Sequence, residues 1–90
     1  MSKTKLFTAR EAAKDLIRSY VERGDTVDQL ARGRTGSYSD EYCAQIGGYV
    51  DGKNIGNQKI IVRKVKNKKF EPPEIFSLQK IFDEIKNENA

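Results

Sequence analysis

Residues 40–57, Asp-Glu-Tyr-Cys-Ala-Gln-Ile-Gly-Gly-Tyr-Val-Asp-Gly-Lys-Asn-Ile-Gly-Asn, decide the fold because they fit two secondary structures. Wound as a helix, they place Tyr42, Ile46, Tyr49 and Val50 at i, i+4, i+7 and i+8 on one buried face. Asp40 and Glu41 then occupy the first turn, where the helix dipole favours carboxylates. Extended, Gln45–Val50 and the residues from Lys53 onward flank Asp51-Gly52, a two-residue hairpin turn of a favoured type. Gly47-Gly48 counts against the helix, since each glycine inside one costs about 1 kcal/mol. The expectation adopted is a helix from Asp40 to about Gly47 that breaks at the glycines.

Upstream, the signals are sharper. Thr8-Ala-Arg-Glu11 has capping-box spacing, with Phe7 at the staple position against Ala12. Ala13, Leu16, Ile17, Tyr20 and Val21 then recur at intervals of three and four, and Gly24 supplies a helix stop, so a helix over 9–23 is predicted. Thr26-Val-Asp-Gln29 repeats the capping spacing ahead of a short helix ended by Gly33, with Val27, Leu30 and Ala31 on its apolar face. Two helices joined by about three residues must cross sharply, as at the start of many helix-turn-helix domains. Residues 32–39 follow as a polar loop in which Arg32 and Arg34 stand beside Thr35, Ser37 and Ser39.

Downstream, Lys59-Ile-Ile-Val-Arg-Lys-Val-Lys66 is β-branched and bounded by turn residues, and reads as a strand. Its expected partner is the stretch from Tyr49 to Ile55, giving a small hairpin or wing. Pro72-Pro73 then opens a predicted helix from Glu74 to about Asn87, whose Ile75, Leu78, Ile81, Phe82 and Ile85 form a core-facing stripe. Phe76 falls off that stripe, which leaves it either packed on a neighbouring loop or marking a partner or dimer surface. The fold class implied is α+β, mainly α, in one domain over 1–90. Three N-terminal helices lead into a small basic hairpin or wing and a C-terminal amphipathic helix, an arrangement compatible with a winged helix.

Composition narrows the chemistry. The 90 residues contain no histidine, no tryptophan and one cysteine, Cys43. That removes imidazole acid/base catalysis, the common zinc sites and any internal disulfide framework. Cys43 lacks a histidine to activate it and reads as a small structural thiol among Tyr42, Ala44 and Ile46. Asp40 and Glu41 point apart on a helix, and Asp51, Asn54 and Asn57 lack calcium-loop spacing. Neither a phosphate-loop nor a dinucleotide fingerprint is present. No enzymatic activity, metal or cofactor is expected. The N-terminal residues lack the apolar core of a signal peptide, and no window approaches a membrane span, so a cytoplasmic protein without membrane contact is expected.

Charge is uneven along the chain. Residues 1–52 carry eight basic and eight acidic groups, residues 53–69 seven basic and none acidic, and residues 70–90 two basic and five acidic, which together make the overall +4. The seven are Lys53, Lys59, Arg63, Lys64, Lys66, Lys68 and Lys69. Such a block is an electrostatic footprint for a polyanion, or else a charge-guarded strand edge. The functional expectation is a small regulatory nucleic-acid-binding protein, for DNA before RNA, that grips phosphates with these residues and with Arg32 and Arg34. Tyr38, Tyr49 and Phe70 form no recognisable RNA-binding pattern and are assigned to the core. The alternative is an inhibitory or adaptor module, of the size mobile genetic elements encode, that docks its basic stripe on an acidic protein surface. A chain this short also leaves room for a homodimer.

Overall fold

The computed structural model describes residues 7–33, 36–39 and 41–88. The first two helices form where their capping residues place them. In α1 (Ala9–Glu22) the Thr8 side chain accepts a hydrogen bond from the Glu11 N–H at 3.2 Å. In α2 (Val27–Gly33) the box is reciprocal: the Thr26 N–H donates to Gln29 Oε1 at 2.8 Å and the Gln29 N–H donates to Thr26 Oγ1 at 3.2 Å. Two donors that a helix start leaves unpaired are thereby satisfied.

Beyond α2 the chain departs from expectation. Three short or medium strands, β1 (Gly36–Tyr38), β2 (Tyr42–Ile46) and β5 (Lys59–Lys66), pair antiparallel in that order. The far edge of β5 is shared between β7 (Glu74–Ser77), which pairs with residues 59–62, and β6 (Lys69–Phe70), which pairs with residues 65–66. Between β2 and β5, β3 (Tyr49–Val50) and β4 (Lys53–Asn54) make a separate two-stranded hairpin around Asp51-Gly52. A final helix, α3 (Leu78–Glu88), closes the described chain.

Among the described residues the protein is therefore not mainly α and has no set of three N-terminal helices. Two helices precede a five-stranded antiparallel sheet and the third follows it. The expected helix over 40–47 is the strand β2, with Tyr42, Ala44 and Ile46 buried and Cys43 and Gln45 half-buried between them. A separation of four is compatible with both periods, since it is close to one helical turn and is also two strand repeats. Tyr42 and Ile46 alone cannot choose between them, and the glycines do. Gly47 has φ 72°, and a Cβ there would lie 2.6 Å from the Gly56 carbonyl oxygen. The winged arrangement fails for a related reason. The Lys59–Lys66 strand is present as predicted, yet its neighbours are β2 and β7, so it is the central strand of the sheet and not a wing.

The C-terminal helix starts later than its apolar spacing suggests. Residues 74–77 are extended, and the Ser77 hydroxyl accepts from the Lys80 N–H at 3.3 Å, an N-cap just ahead of Leu78. Leu78, Ile81 and Ile85 are buried, whereas Ile75 lies on β7 and is 46% exposed.

Two layers result. Helices α1 and α3 pack together over one face of the sheet, where Leu16, Ile17, Ile60, Val62, Leu78, Ile81 and Ile85 join the core. Alternation along the strands sends Tyr42, Ala44, Ile46, Ile60 and Val62 to that face and Cys43, Gln45, Lys59, Ile61, Arg63 and Val65 to the opposite one. No helix among the described residues is long and apolar enough to cross a membrane.

Candidate nucleic-acid interface

Every described lysine and arginine before residue 50 has a carboxylate partner. Arg10 forks onto Glu84, with Nε at 3.0 Å from Oε1 and a second contact from Nη2 to Oε2. Lys14 reaches Glu88 at 2.5 Å and Glu84 at 3.6 Å, and Arg18 reaches Glu88 at 2.9 Å. Arg23 pairs with Asp25 at 2.9 Å, and Arg32 with Asp28 at 2.8 Å. Hydrogen bonds from Lys14 and Arg18 hold the Glu88 carboxyl down at about 2, and those from Arg10 lower Glu84. The acidic C-terminal segment thus neutralises α1 across the helix–helix contact.

The seven cations between 53 and 69 behave differently. Among the described residues none of them has an ion-pair partner. Sheet geometry gathers most of them. Lys59, Arg63, Lys64 and Lys66 lie along β5, and Lys66 stands directly opposite Lys69 of β6. Asn67 and Lys68 form the connecting turn with φ of 54° and 63°, the left-handed pair that a two-residue hairpin of this type requires. Two lysines face each other across the ribbon with a third at its tip. Like charges directly opposite one another are unfavourable in a sheet, so this ribbon carries an electrostatic cost that no ion pair among the described residues offsets.

Lys53 lies on β4, in the hairpin beside the sheet. Arg63 is tied to that hairpin, donating from Nη2 to the Tyr49 carbonyl at 3.1 Å. The hairpin sits on the sheet face opposite the helices: a Cβ on Gly48 would meet Ile61 Cδ1 at 3.6 Å, and Ile61 has no exposure although it is outside the main core. Arg32 belongs to α2 and is engaged with Asp28, so it is not part of the strand group; Arg34 lies outside the described residues.

Three residues assigned to the core from sequence are on the surface. Tyr38 is 70% exposed, Tyr49 62% and Phe70 57%. The sequence did carry a signal for each, since Tyr38 stands among serines, Tyr49 borders the Asp51-Gly52 turn and Phe70 directly follows two lysines. Cys43 is half-buried on the open face opposite Arg63, and not among Tyr42, Ala44 and Ile46, which alternate to the helix side. Phe76 is half-buried on β7 and packs against the core, with the Arg10 guanidinium 5.8 Å from its ring centroid.

Comparison of the chain with protein-family models, with curated proteins and with solved structures gave no match.

Proposed function

We propose that this protein is a small non-enzymatic nucleic-acid-binding protein of regulatory type, whose β5–β6 ribbon contacts the phosphate backbone. One observation carries the reading. Described cations before residue 50 are all matched by carboxylates, whereas the seven from Lys53 to Lys69 are unmatched, and three of them crowd one hairpin end. Phosphates relieve that repulsion, and release of their condensed counterions supplies the driving force for binding.

The test is fluorescence anisotropy with labelled oligonucleotides across a range of salt concentrations. About four phosphate contacts give a slope of log affinity against log salt of roughly −3.6 on duplex DNA. Changing Lys64 and Lys66 together to Glu weakens binding to every sequence and makes the slope shallower, whereas loss of a base-reading residue would relax preference at one position. Absence of association with any nucleic acid at low salt, even at tens of micromolar, overturns the reading and moves attention to an acidic protein surface as the partner.

A further inference from the structure

We infer that the sheet face turned away from the helices binds single-stranded nucleic acid by stacking unpaired bases on Tyr38, Tyr49 and Phe70. This rests on the nucleic-acid reading above and adds to it a strand state and a set of base-contacting residues. The register places Tyr38 and Phe70 on the same sheet face as Arg63. Tyr38 is opposite Cys43, and Cys43 is opposite Arg63, so these three form a row across β1, β2 and β5. With strands about 4.8 Å apart, Tyr38 and Arg63 stand roughly 10 Å from each other. Val65, the next residue of β5 on this face, pairs with Phe70 on the other edge. The Tyr49 backbone comes over the same place from the β3–β4 hairpin, since its carbonyl accepts from Arg63, and its side chain is exposed.

An antiparallel sheet with one face in the core commonly presents polar residues on the other. Here that face presents the exposed rings of Tyr38 and Phe70 and the half-buried Arg63, with the exposed Tyr49 on the overlying hairpin. The described carboxylates on this side are Glu41, which lies opposite Val65 and whose carbonyl accepts from the Val65 N–H at 2.8 Å, and Asp51 in the turn of the overlying hairpin. Charge and rings together select the occupant. A second copy of this chain would bring Lys59 and Arg63 against their own kind, and duplex DNA hides its base faces inside the stack, where exposed rings gain nothing. Single strands offer both phosphates for the cations and π-faces for the rings.

The experiment measures binding of wild type, Tyr38→Ala/Phe70→Ala and Tyr38→Phe/Phe70→Tyr. The probes are labelled oligodeoxythymidylate, oligouridylate and a mixed-sequence duplex, each of about 20 nucleotides or base pairs, at several salt concentrations. Wild type is expected to bind the single strands at least about tenfold tighter than the duplex. The double alanine variant should lose that preference, with a fall of roughly 25-fold or more for two stacked bases. Its salt slope should stay unchanged, because no phosphate contact has been removed. The aromatic-for-aromatic variant should retain wild-type binding, and thermal unfolding of all three should coincide, since both rings are exposed. Quenching of tyrosine emission on binding gives an independent readout in a chain without tryptophan.

Equal loss on duplex and single strand, or no loss in the alanine variant, overturns the inference. Salt-dependent binding to duplex alone leaves the phosphate-contacting ribbon standing and removes the stacking face. Failure to bind any of the three probes removes both. The two single strands differ in sugar and base methyl, so their ratio reports whether DNA or RNA is preferred.

Discussion

Lys69→Glu should make the protein more stable and a weaker ligand for nucleic acid. Lys66 and Lys69 are direct cross-strand partners at the end of the β5–β6 ribbon, with Lys68 in the turn between them. If the ammonium groups keep the ~5.5 Å Cα spacing of a hydrogen-bonded cross-strand pair, they interact in water by roughly 0.75 kcal/mol before screening, and physiological salt, with a Debye length of about 8 Å, reduces that by about half. Reversing one sign turns a repulsion of a few tenths of a kcal/mol into an attraction of similar size. The net stabilisation is therefore about 0.5–1 kcal/mol, within the range measured for cross-strand pairs. In a domain of this size that corresponds to a Tm increase of roughly 2–8 °C. On the proposed function the ribbon simultaneously loses one phosphate contact, so the salt slope on duplex DNA should become shallower by about 0.9 or somewhat more. Thermal unfolding by circular dichroism, paired with anisotropy titrations in low and moderate salt, reads both effects on one preparation. The Tm gain should itself shrink as salt is added. Unchanged affinity would refute the assignment of the ribbon to phosphate contact, and a lower Tm would refute the electrostatic account of the Lys66–Lys69 pair.

Other perturbations test the scaffold. Glu88 titrates at about 2 in the folded chain against an ordinary 4.5, and Glu84 is lowered as well. The stability they confer should be complete above about pH 4.5 and lost as pH falls towards 2, with a shallower acid limb in Lys14→Met; a Tm independent of pH over that window would contradict the helix–helix ion pairs. Ile85 has no exposure, so Ile85→Ala should cost about 2–5 kcal/mol in urea unfolding, and a loss below about 1 kcal/mol would mean that α3 is not docked as described. Gly47→Ala should destabilise by more than the 1–2 kcal/mol of a left-handed alanine, because its Cβ also meets the Gly56 carbonyl at 2.6 Å; in an unbroken helix over 40–47 the same change would instead be stabilising.

The parts of the fold legible in the sequence are those specified by local chemistry. Thr8 and Thr26 carry their capping partners three residues away, and both helices begin there. The β-branched run from Lys59 to Lys66 is a strand because few other conformations suit it. The Asp51-Gly52 turn, the extended alternative in the ambiguous stretch, is where the β3–β4 hairpin forms. Misreading arose where apolar spacing served two periods. Tyr42 and Ile46 satisfy helix and strand alike, and Ile75 stands three residues before Leu78 as a helical stripe would require. What separates the cases is non-local. Residues 42–46 gain a hydrogen-bonding edge from β5, and residues 74–77 gain the other edge of the same strand. A single sequence gives no register between segments so far apart, and the exposed placement of Tyr38, Tyr49 and Phe70 depends on that register.

The charge blocks acquire a physical meaning once the two layers are in place. The C-terminal segment, with two basic and five acidic groups, looks in sequence like a diluent of the positive block. In three dimensions Glu84 and Glu88 lie against Arg10, Lys14 and Arg18, so two of that segment's five carboxylates serve the helix layer, while Glu71 and Glu74 stay with the strands. The strand cations form no ion pair among the described residues, although Glu71 and Glu74 line the same pocket as Lys64. A chain of modest net charge thereby becomes a molecule with a neutralised helix pair and a cationic β5–β6 end, where Lys64, Lys66 and Lys69 alternate to the helix-side face and Lys59 and Arg63 to the other. Such asymmetry orients an approaching polyanion before contact and raises encounter rates in a salt-dependent way. Removing Glu84 and Glu88 would leave Arg10 without its carboxylate partner, while Lys14 keeps Glu11 at 3.8 Å and Arg18 keeps Asp15 at 3.6 Å, so the helix layer would gain positive charge and the charge contrast between the helix pair and the β5–β6 end would fall.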